Sequence, residues 1–404
     1  MHILLFFINL FFLSQIQTNQ ETITPNAFCS VPVADLIGAP IRTFFSIEQA
    51  TTQELYERIP YSETRRSHGS PRIAQLLFNQ AVEILAIKGD EVKIKVPDMY
   101  YGDGTKMYNI YWTQASYITP LTKPLVKGVP LPHTQTVILT CALTHPMQKM
   151  TYSAGTCFVI TGKQKNMALE CFSYNPETKK LETIWIKKNF ISTSQVPRKK
   201  IRKAFIALLK TWAHQKNGFI PYVFGGCSIG KPLKNNTFFE KHITFTKKPC
   251  TFFERPNAPT PRIGIDCARL FARAFQTLNI TWSALNSKAF KMQLRSLHSY
   301  EKPQIGDFIY FSGHIAVISD VKKGLLIEAR SYQDGYGKVH EIPFSEQFQN
   351  IHTIKDLQHA AQTKKRVVRL NNSGKKSQSI DDLEILKFPD QYQSSSLPII
   401  FIFY

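Results

Sequence analysis

Apolar and polar residues alternate over short distances through the first half of the chain, and apolar residues recur at intervals of three and four in two stretches of the second half. Between residues 29 and 122, the runs CSVPVADLIG, QAVEILAIKGDEVKIKVP and MYNIYWTQASYITPL have the period-two pattern of half-buried strands. Gly89 and Asp90 part EILAIK from EVKIKV, which predicts a tight hairpin. A second block, 123–195, repeats this texture in TVILTCAL, GTCFVITGK, MALECFSYNP and LETIWIKKNFI. Similar strand spacing and no long helical period predict two small β-barrels in tandem.

The texture changes at STSQVPRKKIRKAFIALLKTWAHQ, where Ile201, Phe205, Leu208, Leu209 and Trp212 predict an amphipathic helix with a basic outer face. A third domain, 200–350, starts there. It continues through IPYVFGG, a polar loop over 228–262, and a helix with Leu270, Phe271, Ala274, Phe275 and Leu278 on one face. The strands IGDFIYF, HIAVISDV, GLLIEARS and KVHEIPF follow, and helices before an antiparallel meander make an α+β domain. Residues 352–404 are polar and basic with a Ser-rich end, and are expected to be a flexible tail.

Hydrophobic residues are 43% of the 404 and charged residues 20%, the composition of a globular chain long enough for several cores. A net charge of +21 favours an anionic partner, but the basic residues lie in loops and tails without a nucleic-acid-binding motif. A nucleic-acid partner is therefore not expected. The apolar run Ile3–Leu13 is too short to span a bilayer and fits a secretory signal over 1–20; the competing reading is a buried N-terminal element. Seven cysteines without a CxxC exclude a zinc ribbon, and the spacing of Cys227, His242 and Cys250 matches no known ligand pattern. In an exported chain, Cys157 and Cys171 are placed to pair across a hairpin.

Cys267 stands at the predicted start of a helix behind Asp266, a good capping residue. Unpaired N–H groups and the helix dipole stabilise a thiolate there, although a small buried cysteine is the other reading. His314 opens a strand after a Ser-Gly turn, where a general base keeps one ring edge open. Glu328 falls inside the next apolar strand, where a carboxylate needs a partner such as the imidazole. Cysteine, histidine and a polar orienter on a helix start and two adjacent strands form the arrangement of a papain-like thiol hydrolase.

PYVFGG at 221–226, GIDCARLF at 264–271, GDFIYFSGHIAVISD at 306–320 and LLIEARS at 325–331, in this order and spacing, resemble the NlpC/P60 cysteine peptidases of bacterial cell-wall metabolism. SVPVADLIGAP and the two β blocks resemble the bacterial SH3-like modules that precede such peptidases. The resemblance implies an α+β, papain-like catalytic domain behind two SH3-like barrels, with Cys267 as nucleophile, His314 as base and Glu328 in the place of a third polar residue. It also implies that Tyr222 lies beside the nucleophile and that Asp266 binds the free amine of a substrate. No metal or other cofactor is required. The implied substrates are peptidoglycan stem peptides or muropeptides, cut between D-γ-glutamate and a diamino acid such as meso-diaminopimelate by an exported, envelope-associated enzyme with no membrane span in its mature form. Tyr108, Tyr111 and Trp112 are candidates for a wall closing one end of the cleft. A catalytically inactive wall-binding protein, or another amidase or acyl-transfer activity on the same scaffold, is the alternative.

Overall fold

The computed structural model describes residues 26–45, 47–59, 71–121, 136–145, 150–192, 196–216, 218–231, 263–331, 334 and 336–389. The signal reading, Cys250, His242 and most of the 228–262 loop lie outside these residues. No described helix is long and apolar enough to cross a membrane.

The first block forms one antiparallel sheet, in spatial order Arg72–Leu77, Val33–Ile37, Ile110–Gln114, Glu91–Lys95, Ala81–Lys88, Ala27–Cys29 and Ile118–Pro120. The hairpin forms where the sequence predicts it: Lys88 faces Glu91, and Gly89 takes the positive φ of 59° that the two-residue turn demands. The second block forms a sheet in the order Lys180–Lys187, Ala168–Asn175, Cys157–Lys165, Thr136–Leu139 and Ile191–Ser192. Among the described residues neither sheet closes into a barrel. Instead, the edge strand Arg72–Leu77 is occupied by the third domain: Gln75 Oε1 accepts the Cys227 N–H at 3.0 Å, and Arg72 Nη1 donates to the Phe224 carbonyl at 3.1 Å. Cys157 and Cys171 are free thiols, because the register sets Cys171 against Ile160 rather than Cys157.

The third sheet runs Lys338–Pro343, Leu325–Arg330, His314–Asp320, Phe308–Phe311 and Glu384–Leu386, all antiparallel. Strand alternation gives it two apolar faces. Phe308, Ile315, Val317, Ile327 and Ala329 meet the helices Arg198–Ala213 and Cys267–Thr277, whose Phe205 and Phe275 rings stack at 4.5 Å. Ile309, Phe311, Ala316, Ile318 and Leu326 face the other way, onto Leu357, Ala360, Val367, Ile380 and Ile385.

Those last residues belong to the segment expected as a flexible tail, which is structured as far as residue 389. Thr353 and Asp356 form a capping box that starts the helix Ile354–Thr363. The hairpin Val367–Leu370/Lys376–Ile380 follows, and Glu384–Leu386 becomes an edge strand of the sheet. In the described part of the segment, Leu357, Ala360, Val367 and Ile380 are buried where they cover the outer face of the sheet.

Candidate active site

The loop PYVFGGCS lies along residues 264–266, with Val223 N–H donating to the Ile265 carbonyl and Asp266 N–H to that of Gly226. A Cβ at Gly226 would sit 2.4 Å from the Gly264 carbonyl oxygen, so only glycine permits this approach. Asp266 then caps the helix Cys267–Thr277, accepting the Arg269 N–H at 2.9 Å. The Arg269 guanidinium also donates to Asp266 and, through its other nitrogen, to the Ile73 carbonyl of the first sheet. Arg273 Nε donates to the Cys227 carbonyl at 2.7 Å. The helix is thus buried on its basic side as well as its apolar one.

Cys267 is half-buried, and its thiol faces the backbone N–H of Ile315, next to His314. His314 is 6% exposed, and its Nε2 lies 2.6 Å from Glu328 Oε2. An ionised carboxylate can only accept, so Nε2 carries the hydrogen and Nδ1 keeps the lone pair that can take a thiol proton. Glu328 also accepts from His340 Nε2 at 2.9 Å and Gln347 Nε2 at 3.0 Å, with Arg330 Nη1 at 3.8 Å and Arg369 Nη2 at 3.5 Å. Burial alone would raise this carboxyl, but Arg330, His314 and His340 together hold it well below the usual carboxylate range.

Burial and then the Asp266 charge push the Cys267 thiol up to about 12, against the opposing effects of the Ile315 N–H, Arg269 and Arg369. Burial and then Arg369 bring His314 down to about 4, despite Glu328. The helix start was expected to stabilise a thiolate; here desolvation outweighs it, which favours the neutral forms of both the Cys267 thiol and the His314 imidazole.

Tyr222 is buried in the core, bridged in parallel to Ile265, two residues before the thiol. Tyr111 is not part of a cleft wall: it is 1% exposed within the first sheet's core, and its hydroxyl donates to the Met99 carbonyl at 2.8 Å. Trp112 packs on the Ile37–Ile41 cluster, whereas Tyr108 is exposed and donates to Asp103. Sequence reasoning missed His340, Gln347, Arg330 and Arg369. His340 was within reach, because pairing LLIEAR with KVHEIP sets it directly opposite Glu328. Among the described residues no group of three or more His, Cys, Asp or Glu side chains is arranged to hold a metal ion.

No protein-family model matches the chain, and no curated protein sequence matches it. Among solved structures, an NlpC/P60 family protein from Bacillus cereus is 16% identical and superposes with a TM-score of 0.51 over 79% of this chain and 94% of its own. NlpC2 from Trichomonas vaginalis (11% identity, 80% and 95% covered, TM-score 0.30) and the peptidoglycan hydrolase RipB from Mycobacterium tuberculosis (21%, 37% and 62%, 0.24) superpose too loosely to add to this. The chain shares the fold of the Bacillus cereus NlpC/P60 family protein.

Proposed function

We propose that this protein is a cysteine peptidase that hydrolyses the amide between D-γ-glutamate and a diamino acid in peptidoglycan stem peptides. The observation that carries the reading is the 2.6 Å contact from His314 Nε2 to Glu328, which leaves Nδ1 free to accept a proton, on the residue preceding the Ile315 N–H that the Cys267 thiol faces. The shared fold and the four motifs of the sequence support it.

The neutral resting forms define the chemistry. As Cys267 Sγ attacks the amide carbonyl, its proton passes to His314 Nδ1, and Glu328 stabilises the imidazolium. The imidazolium returns that proton to the leaving amine as the C–N bond breaks, giving a thioester. His314 then deprotonates a water that hydrolyses the thioester and restores the thiol. The resemblance assigns Asp266 to the substrate amine and Tyr222 to the carbonyl side of the cleft; both side chains are buried, Asp266 in an ion pair with Arg269 and Tyr222 in the core. Such a substrate places the enzyme in the cell envelope after export.

Mass spectrometry of muropeptides and free stem peptides incubated with wild type and with Cys267→Ala tests this. Cleavage after D-γ-glutamate is expected from wild type alone. Equal products from both proteins, or none from either under reducing conditions, would instead make Cys267 a packing residue and the chain a wall-binding protein.

A further inference from the structure

Two arginines, Arg330 of the third domain and Arg369 of the C-terminal segment, are buried near Glu328, and they are treated differently. Arg330 donates to Asp334, Gln347 and the Leu370 carbonyl, which is how a structural arginine is accommodated. Arg369, on the hairpin strand Val367–Leu370, is 6% exposed, and its Nε and Nη2 have no hydrogen-bond partner among the described residues. It lies 3.5 Å from Glu328 Oε2 and 3.4 Å from Asp334 Oδ2, with its guanidinium 5.1 Å from the centre of the Phe311 ring. Phe311 pairs in register with His314. A guanidinium buried with so few hydrogen bonds is costly, and in such surroundings its charge acts strongly on its neighbours.

We propose that Arg369 is a positioning residue that acts through Glu328 and His314, anchoring the carboxylate and keeping the imidazole free to accept a proton. Its unpaired nitrogens are closed off from solvent, so it meets no substrate. This role deepens the peptidase reading and rests on it. It also makes the C-terminal segment part of the catalytic apparatus, since the hairpin brings a positive charge to the sheet side of the site.

The charged and titratable groups that face the pair are Asp266 and Arg269 from the nucleophile helix, Glu328 and Arg330 from the central strand, His340 from its neighbour, Asp334 from the connecting loop and Arg369 from the hairpin. Among the described arginines of this group, Arg369 is the one near Glu328 that leaves two nitrogens, Nε and Nη2, without a hydrogen bond, whereas Arg269 leaves Nε alone and is paired with Asp266. Removing its charge makes protonation of His314 easier, and removing the Asp334 charge that partly offsets it makes protonation harder.

Histidine-ring NMR titration of the full chain tests this, with the His314 signal assigned by its loss in His314→Gln. Arg369→Gln is expected to raise the His314 midpoint by about half a unit to one unit, a roughly three- to tenfold change in the protonation equilibrium, whereas Arg369→Lys stays close to wild type. Asp334→Asn is expected to lower it. A folded Arg369→Gln protein with the wild-type midpoint would overturn the proposal. If that variant does not fold, an unchanged or raised midpoint in Asp334→Asn would overturn it equally. The titration needs no hydrolysis: shifted midpoints in a protein that cuts no stem peptide would sink the peptidase reading alone, and cleavage with unshifted midpoints would sink only the role of Arg369.

Discussion

Two buried carboxylates belong to the candidate site, Asp266 next to the thiol and Glu328 behind His314, and their surroundings are opposite in character. On the helix side, Asp266 has one charged partner among the described residues, Arg269, and burial raises its carboxyl despite that arginine and the Gly225 N–H. On the sheet side, Glu328 is completely buried and meets two arginines, two histidines and a glutamine, and it stays ionised. The lesson concerns where reactivity originates. A helix start supplies partial positive charge, yet here the capping aspartate and desolvation cancel it. In the proposed mechanism the sheet side orients the base that takes the thiol proton, so on that reading it governs activation.

The largest effect expected from this contrast is that of Glu328→Gln. A neutral amide removes the charge that stabilises imidazolium and lets the ring choose the wrong tautomer, so stem-peptide kcat/KM should fall by roughly 10²–10⁴-fold. A fall of less than threefold would break the comparison.

Next is acid stability. His314 holds a folded value of about 4 against an ordinary value of 6.5, and Glu328 is also held low, so in acid the unfolded chain binds protons that the folded one refuses. The stability from His314 is therefore fully present above the ordinary histidine range and declines as pH falls toward 4. Glu328 adds to the loss below the ordinary carboxylate range. Denaturant melts between pH 7 and 4 should show a loss of roughly 2–4 kcal/mol from His314, largely absent in His314→Gln. Equal pH dependence in the two proteins would contradict the assignment.

The smallest expected effect has the opposite sign to the first. Asp266→Asn keeps a capping side chain but removes a negative charge that disfavours the thiolate. Alkylation of Cys267 by iodoacetamide at fixed pH should then be about two- to fivefold faster. Slower alkylation would mean that Asp266 helps the thiolate after all.

How legible this was in the sequence depended on the range of the interaction. The Gly89-Asp90 hairpin and the face of Leu270, Phe271, Ala274 and Phe275 follow from local period and turn chemistry. The positions of Cys267, His314 and Glu328 on a helix start and two neighbouring strands were readable for the same reason. Open rather than closed sheets were not, because strand pairing between distant segments has no local signal. The C-terminal segment was misjudged from composition: Leu357, Ala360 and Val367 are few, but each is buried. Arg269 and Arg273 had no signal that set them apart, yet their guanidinium groups tie the helix to carbonyls of other segments. Arg369 had no signal at all, since only the fold brings it to Glu328.

The most direct test of sheet-side activation is the rate at which iodoacetamide labels Cys267 at neutral pH, followed by peptide mass spectrometry, in wild type, His314→Gln and Glu328→Gln. If the imidazole anchored by Glu328 draws off the thiol proton, labelling in both variants should be about tenfold slower or more than in wild type. Equal rates in all three folded proteins would contradict this account and leave Cys267 as a small residue packed at the start of a helix.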